Sequence, residues 1–278
     1  MTGQPNPVEA LAAALIAARR SHHPMVRDEA DRLGEMIGPD GAYAVQQLVC
    51  DACGPAVAWK TGRKRPEDPV IAAPVLEGGL RASGAAFSTR ELGACGVELE
   101  IGFRLERPLP PLDSPDFPTL ARACVTPIPV IEIVDGRMDG FMEATPLAKL
   151  ADNQINGGLV YGTPSEAGGL DLGQPEVRLT FNGQDVVSGR QPVPGGDAFS
   201  VFMAFARMVG THCGGLRPGQ IVTTGSLSGL PFVPPGTRID GWIAGLGHVR
   251  TAFVEANADG GQDAAMSGQR SSHGHRSS

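Results

Sequence analysis

The sequence predicts an α+β protein in which N-terminal helices precede a strand-rich core. Of its 278 residues, 38 are Gly and 24 are Pro, while aromatic residues make up only 5%. That composition is typical of loop-rich β and α+β proteins rather than of helical bundles. Two helix-like segments come first, and mostly strand-like segments with one strong helix among them follow. We therefore expect a mixed sheet, in a chain long enough to bury a large core.

Two N-terminal segments have helical patterns. In residues 7–20, Pro7 suits the first helical position, Leu11 and Leu15 share a face, and two arginines suit the last turn. A second helix is predicted over residues 40–53, with Asp40 as its N-cap. The Gly-Pro pair that follows at 54–55 ends this helix.

Most later segments have strand patterns. Asn182-Gly183 predicts a type I′ turn inside a hairpin over residues 177–187. Asp197 is expected to cap a helix that reaches about Cys213. Residues 71–87 are weakly patterned and suggest two edge strands. The other predicted strands cover residues 56–62, 96–103, 129–134, 221–226, 237–244 and 247–255, and short helical segments cover 119–124 and 144–150.

These elements divide the chain into three parts. Residues 1–58 form a helical portion packed on the core, residues 59–256 form the β-rich core, and residues 257–278 lack an apolar pattern and are expected to be a disordered tail.

Charge and cysteine content exclude several classes of protein. The net charge of −7 argues against a nucleic-acid partner, which favours a basic face. No apolar run approaches the length of a membrane span, and the N-terminus lacks a signal-peptide pattern. The five scattered cysteines indicate reduced thiols and a cytoplasmic location. Cys50 and Cys53 have C-x-x-C spacing, but no βαβ context or second pair supports redox or zinc chemistry.

The strand over residues 96–103 carries a candidate metal site. Glu98 and Glu100 alternate with apolar residues and therefore point to one face, about 7 Å apart along the strand. A third carboxylate, Glu132, interrupts the apolar strand over residues 129–134, where a charge is rarely left unpaired. Three carboxylates without a nearby His or Cys favour Mg²⁺ or Mn²⁺ over zinc. The alternative is a solvated face of an antiparallel sheet, although such a strand would show more polar residues than the one around Glu132.

Several motifs occur in an order that resembles one known family. The motifs are AYAVQ at 42–46, WKTG at 59–62, GVELEIGF at 96–103, IEIVDGR at 131–137, ADN at 151–153 and LRPGQIVTTGS at 216–226. Together, from about residue 42 to 254, they resemble the 2-keto-4-pentenoate hydratase family. That family includes the 4-oxalocrotonate decarboxylases and belongs to the fumarylacetoacetate hydrolase superfamily. Each motif alone is weak, but six in the same order are specific.

The resemblance implies a fold, a metal and site residues. The implied fold is a β-rich core on a rolled mixed sheet with an N-terminal helical or α/β portion packed against it. The implied cofactor is Mg²⁺ or Mn²⁺, held by the three glutamates named above. Lys60 matches an active-site lysine, Gly225 and Ser226 match a turn that faces substrate oxygens, and Asn153 falls in the pocket wall.

The implied reaction is hydration of a 2-hydroxy-alka-2,4-dienoate to a 4-hydroxy-2-oxo acid. Lys60 could exchange a proton with the substrate or hold its carboxylate, and the sequence does not choose between these roles. The basic run Arg63-Lys64-Arg65-Pro66 departs from the family pattern, as do residues 73–80. If Arg63 folds back toward the metal, it would offer a fork for a second carboxylate, and the alternative is a solvated basic loop.

Three other functions stay open. Decarboxylation of a 2-oxo diacid of the 4-oxalocrotonate type and C–C hydrolysis of an acylpyruvate share the same metal chemistry. A catalytically silent partner of a related enzyme is the alternative from another class, although intact site residues argue against it. We expect a small-molecule partner, a homo-oligomer, and a possible association with a related decarboxylase or hydratase, as the resemblance implies.

Overall fold

The computed structural model describes residues 6–165 and 168–256. Within them, two helices lead into strands that form two sheets, so the α+β prediction is confirmed. The predicted tail, residues 257–278, lies outside the described residues, and the boundary at 58/59 stays a prediction. No helix in the described ranges is both long and apolar enough to cross a membrane.

The helices are α1 (Pro7–Ser21), α2 (Arg27–Cys53), α3 (Phe117–Arg122), α4 (Pro146–Ala151) and α5 (Ala198–Met208). The strands are β1 (Ala56–Gly62), β2 (Ile71–Leu76), β3 (Leu80–Ala82), β4 (Ala86–Ser88), β5 (Gly96–Leu105), β6 (Val125–Val134), β7 (Asn156–Tyr161), β8 (Glu176–Phe181), β9 (Gln184–Arg190), β10 (Ile221–Ser226), β11 (Thr237–Ile243) and β12 (Gly247–Val254). Short 3₁₀ turns occur at Phe141–Glu143, Asn153–Ile155 and His212–Gly214.

The larger sheet has seven strands in the order β2-β1-β10-β5-β6-β7-β3, and the smaller has five in the order β4-β12-β11-β8-β9. Both are mixed, because β1 runs parallel to β10, β3 to β7, and β4 to β12, while the other neighbours are antiparallel. The weakly patterned segment 71–87 forms three short strands, β2 to β4, each at the edge of a sheet.

The helix boundaries that differ most from the prediction are the start of α2 and the end of α5. Helix α2 begins at Arg27, thirteen residues before the proposed Asp40 cap, because the chain kinks at Gly38 (φ 65°) and resumes helical geometry on both sides. Gly38 is itself non-helical, so α2 consists of two helical stretches that meet at this kink, and apolar residues of both stretches are buried. Helix α5 begins after Asp197, whose side chain accepts from the Ser200 amide at 2.8 Å, but it ends at Met208 instead of Cys213.

The core fixes which faces of β1 and β5 are available for a site. Trp59 is fully buried, packs on Phe205 of α5 with ring centroids 5.3 Å apart, and donates to Gln220 at 3.2 Å. Because side chains alternate along a strand, this burial turns the next residue, Lys60, to the other face of β1. The apolar residues of β5 are likewise fully buried, which directs Glu98 and Glu100 to the opposite face.

Candidate metal centre

Three glutamates converge on the larger sheet. Glu98 and Glu100 lie two residues apart on β5, and Glu132 of β6 is the direct register partner of Glu98. Each contributes a carboxylate oxygen, and these oxygens all lie within 4.8 Å of one another. The arrangement is therefore one in which a single cation can contact all three side chains.

The donor set fits a hard divalent cation. Glu100 and Glu132 are buried while Glu98 is partly exposed, so the cluster has one accessible side. Glu132 Oε2 is buried and has no hydrogen-bond partner in the described residues. An unpartnered buried carboxylate oxygen is costly unless something neutralises it. Oxygen-only ligands suit Mg²⁺, Mn²⁺ or Ca²⁺.

Lys60 Nζ lies against the same carboxylates. It is 2.8 Å from Glu132 Oε1 and 3.4 Å from Glu98 Oε2, and it donates to the Gln154 carbonyl oxygen at 3.2 Å. Burial by itself lowers the pKa of Lys60, but the charges of Glu132 and Glu98 outweigh it and raise that pKa above its usual value. Lys60 is therefore an ammonium ion in this arrangement.

Burial and the neighbouring negative charges also raise the pKa values of two of the carboxyl groups. Burial raises the pKa of Glu132 to about 7, with the Lys60 ammonium opposing the shift and the Glu98 charge adding to it. Burial, together with the charges of Glu132 and Glu98, raises the pKa of Glu100 well above its usual value. The state in which all three carboxyl groups are ionised is thus disfavoured, and a divalent cation would relieve the repulsion among them.

Backbone amides and one side-chain amide orient the ligands. Glu100 Oε2 accepts from the amides of Thr224 at 2.9 Å and Gly225 at 2.6 Å, both at the end of β10. Gly225 has φ 111°, in the region that favours glycine, and β10 slips its register against β5 there. On the other side, Asn156 Nδ2 donates to Glu132 Oε1 at 2.9 Å. These contacts orient the carboxylates of Glu100 and Glu132.

A cavity of about 140 Å³ opens onto the cluster. It brings together five of the predicted residues, Lys60, Glu98, Glu100, Gly225 and Ser226, and its wall also contains Thr61, Gly62, Ile71 and Gln154. Ile71 is the one large apolar side chain of this wall and is 40% exposed. Glu132 lies beneath the cavity, in contact with Lys60.

Besides Glu132, two predicted residues do not line this cavity. The Arg63 guanidinium donates to the Pro66 carbonyl oxygen at 2.7 Å and to Ser200 Oγ at 3.0 Å, beside a different surface pocket. Asn153 is 1% exposed, and neither polar atom of its amide has a hydrogen-bond partner among the described residues. Asn153 is joined to the cavity through its neighbour Gln154.

The sequence reading missed the turn that carries Gln154. Asn153, Gln154 and Ile155 have φ values of 49°, 54° and 52°, so three consecutive non-glycine residues are left-handed. Such backbone is strained and clusters at functional sites. Asn adopts the left-handed conformation more readily than most residues, but no sequence signal predicts three such residues in a row. Asn156 is the polar first residue of the largely buried strand β7, and that position is a signal the sequence offers.

Comparison with known proteins identifies relatives of one kind. No protein-family model matches the chain. A 2-keto-4-pentenoate hydratase of Paraburkholderia xenovorans is 31% identical over 165 residues, which span 59% of this chain and 61% of that relative. The chain thus matches less than two thirds of that protein's length. Across 259 residues it is 30% identical to 2-keto-4-pentenoate hydratase 2 of Dechloromonas aromatica, covering 88% of this chain and 97% of that relative.

Solved structures show the same fold. The 4-oxalocrotonate decarboxylase from Pseudomonas putida G7, complexed with magnesium and adipate, superposes with a TM-score of 0.72 at 21% identity, over 91% of this chain and 99% of that one. A fumarylpyruvate hydrolase from Burkholderia cenocepacia, named as putative, superposes with a TM-score of 0.52 at 16% identity, over 72% of this chain and 88% of that one. The predicted superfamily fold is therefore confirmed.

Proposed function

This chain belongs to the 2-keto-4-pentenoate hydratase family, and from that premise we propose that it is a divalent-metal-dependent hydratase. Its substrate would be a 2-hydroxy-alka-2,4-dienoate, and its product a 4-hydroxy-2-oxo acid. The observation that carries the proposal is the cluster of three glutamates and a half-buried lysine at one small cavity. The relatives' names support the same reaction.

Glu98, Glu100 and Glu132 would hold Mg²⁺ or Mn²⁺. When bound, the ion supplies a Lewis acid that stabilises the negative charge developing on a 2-oxo acid. The amides of Thr224 and Gly225 keep Glu100 oriented, and Asn156 keeps Glu132 oriented. These contacts leave the cavity side of the cluster open for substrate.

Lys60 is the proposed catalytic residue. Its ammonium is positioned by two carboxylates and by the Gln154 carbonyl oxygen, so Nζ is held at the floor of the cavity. An ammonium there can bind the substrate carboxylate or give a proton to the dienol as it becomes an enone. Binding of the substrate carboxylate needs only the charge of this ammonium, whereas proton transfer is helped by a lower pKa of Lys60, which a bound dication would provide.

The remaining predicted residues lie at different distances from the cavity. Gly225 and Ser226 form one wall of the cavity, and Ser226 Oγ donates to the Gly229 carbonyl oxygen at 2.8 Å. Asn153 stays a proposed binding residue because its buried amide lacks partners in the described ranges. Arg63 would have to leave Pro66 and Ser200 to reach a substrate.

The alternative reaction is decarboxylation of a 2-oxo diacid. The same metal and lysine would serve it, and the neighbour with the same fold that holds adipate is a decarboxylase. The cavity wall, however, offers a second carboxylate no cation besides Lys60 among the described residues. We therefore favour the hydratase.

One experiment distinguishes the candidates. The full chain is incubated with Mg²⁺ and either 2-hydroxypenta-2,4-dienoate or 4-oxalocrotonate, and products are followed by proton NMR. We expect a 4-hydroxy-2-oxo acid from the first compound and no release of CO₂ from the second. Rapid decarboxylation with no hydration would reverse the assignment, and metal binding without turnover of either compound would favour the silent partner.

We further propose a cytoplasmic location and a homo-oligomeric assembly. The location is supported by five cysteines that are all free thiols in the structure. The assembly, and any association with a related decarboxylase or hydratase, rests on the resemblance to the family. Size-exclusion chromatography with light scattering measures the subunit number.

A further inference from the structure

A second cavity of about 330 Å³ lies away from the one that opens onto the glutamates. It is bounded by the end of α1, the end of α2, the turn between β2 and β3, and the facing ends of β6 and β7. Its volume falls within the range of small-molecule pockets, whereas the cavity at the glutamates is much smaller. Nothing in the proposed reaction uses this space.

Arg19 on α1 lines this cavity and has a hydrogen-bond donor, Nε, without a partner among residues 6–165 and 168–256. Nε is buried, while the side chain as a whole is 26% exposed. The carboxylate within ion-pair distance is that of Asp152, at 3.9 Å from Nη2. A buried guanidinium nitrogen normally has a hydrogen-bond partner, so this one is available to an acceptor that the described residues do not supply.

Asp152 is already engaged by another arginine. Arg137 donates from Nε to Asp152 Oδ1 at 2.6 Å, from its backbone amide to Oδ2 at 2.8 Å, and from Nη2 to the Asp152 carbonyl at 2.9 Å. Burial and the nearby Arg137 charge lower the pKa of Arg19 to about 10. Two guanidinium groups thus share one carboxylate, and Arg137 makes the close hydrogen bonds to it.

The other charged groups of the cavity limit what can bind. Arg81 is paired with Glu91, and Asp135 Oδ1 accepts from the Ala94 amide at 2.9 Å. Glu77 adds a further negative group to the wall. Since acids and arginines are balanced, a polyanion would meet repulsion, while a single negative charge can reach Arg19.

One part of the wall is apolar. Leu76, Phe87 and Leu92 line the cavity and are each at least nine-tenths buried. A ligand that places one charge on Arg19 would therefore rest its remaining atoms on hydrocarbon. Carboxylates match the planar fork of a guanidinium in a bidentate way.

We propose that this cavity binds a small organic monocarboxylate, with the carboxylate on Arg19 and a short apolar chain against Leu76, Phe87 and Leu92. The site is distinct from the glutamate cluster and does not depend on the proposed function. The two are connected, because Arg137 donates to the Asn156 carbonyl at 2.7 Å and Asn156 donates in turn to Glu132.

The test uses butyrate, which has a short chain and no 2-oxo group to chelate a metal. Binding to the full chain is measured by isothermal titration calorimetry in EDTA, so that no metal contributes. The variant is Arg19→Gln. The matched control is Arg20→Gln, which removes the same charge from the adjacent residue. Arg20 does not line the cavity, and its Nη2 donates to the Ala52 carbonyl oxygen. Arg19→Lys, which keeps the charge but not the fork, guards against a folding defect, and circular dichroism checks all three variants.

We expect saturable butyrate binding to the wild type and to Arg20→Gln, weakened about tenfold or more in Arg19→Gln, a loss of about 1.4 kcal/mol. Butyramide, the uncharged analogue, should not bind. The proposal is overturned by equal butyrate affinity in Arg19→Gln and wild type, or by the absence of saturable binding. Tighter binding of inorganic phosphate than of butyrate would overturn the assignment of an apolar carboxylate.

Discussion

Glu98 of β5 and Glu132 of β6 are directly opposite each other in the antiparallel ladder, with their carboxylates on the same face of the sheet. Like charges in such a cross-strand pair are destabilising, and here one partner is fully buried. Lys60 contacts both carboxylates and supplies one compensating charge, while Glu100 adds a third acid to the cluster. The cluster is thus one positive charge against three acids.

Divalent metal should therefore stabilise the folded protein. We expect a higher melting temperature in Mg²⁺ or Mn²⁺ than in EDTA, with a gain of about 2.7 kcal/mol when the free metal is about 100 times its Kd. Differential scanning fluorimetry measures the shift. Glu132→Gln should abolish it, while Glu176→Gln, a change at an exposed carboxylate of β8, should leave it intact. An equal shift in both variants would place the metal elsewhere.

Glu100→Gln should eliminate turnover without unfolding the protein. The amide oxygen can still accept from Thr224 and Gly225, but the ligand charge is lost. Because the change removes a buried acid, we expect unchanged or higher stability in EDTA. Loss of the dienoate absorbance measures activity, and circular dichroism measures folding. Near-complete activity at saturating Mg²⁺ would refute the role assigned to Glu100.

Lys60→Met should affect both activity and stability. Removing a positioned proton donor or carboxylate-binding group is expected to lower kcat/KM by about 10²-fold or more. Without metal, the variant should also melt at a lower temperature, because Glu98 and Glu132 lose their counter-charge. Lys64→Met is the control, since Lys64 is an exposed member of the basic run. A Lys60→Met enzyme as active as that control would exclude a catalytic lysine.

Arg63→Ala should leave the preference between a 2-oxo diacid and its monoacid analogue unchanged. The guanidinium is committed to Pro66 and Ser200, so the side chain does not present its fork to the cavity. The ratio of kcat/KM values for the two acids, in wild type and variant, checks this. A diacid preference of about tenfold, near 1.4 kcal/mol, that disappears in the variant would instead show that Arg63 binds a second carboxylate.

His212 should make stability depend on pH. Burial lowers its pKa below the usual 6.5, and in the folded state Nε2 lies 2.9 Å from Gln46 Oε1. The unfolded chain therefore binds a proton more readily than the folded one, so stability is fully present above pH 6.5 and falls as the pH drops through the folded-state pKa. Urea titrations between pH 5 and 8 measure it. His212→Gln should flatten this part of the profile, and an unchanged slope would contradict the assignment.

Local sequence determined the faces on which the main site residues lie. Glu98 and Glu100 alternate with apolar residues, and Glu132 is the single charge in an apolar strand. These two patterns predicted that the three acids form one metal site. Burial of Trp59 turned Lys60 away from the core. These features depend on a period of two residues within one strand, and a period of that kind is readable without any partner strand.

Tertiary structure decided what those faces meet. Strand pairing set Glu98 opposite Glu132, and the insertion of β10 between β1 and β5 brought the Gly225 amide to Glu100. Distant segments also bring the Gln154 carbonyl oxygen, on its left-handed turn, to Lys60. They likewise form the cavity in which Arg19 Nε has no partner among the described residues. Sequence patterns report local periodicity, whereas register and strand order depend on contacts between residues far apart in the chain, which no single segment encodes.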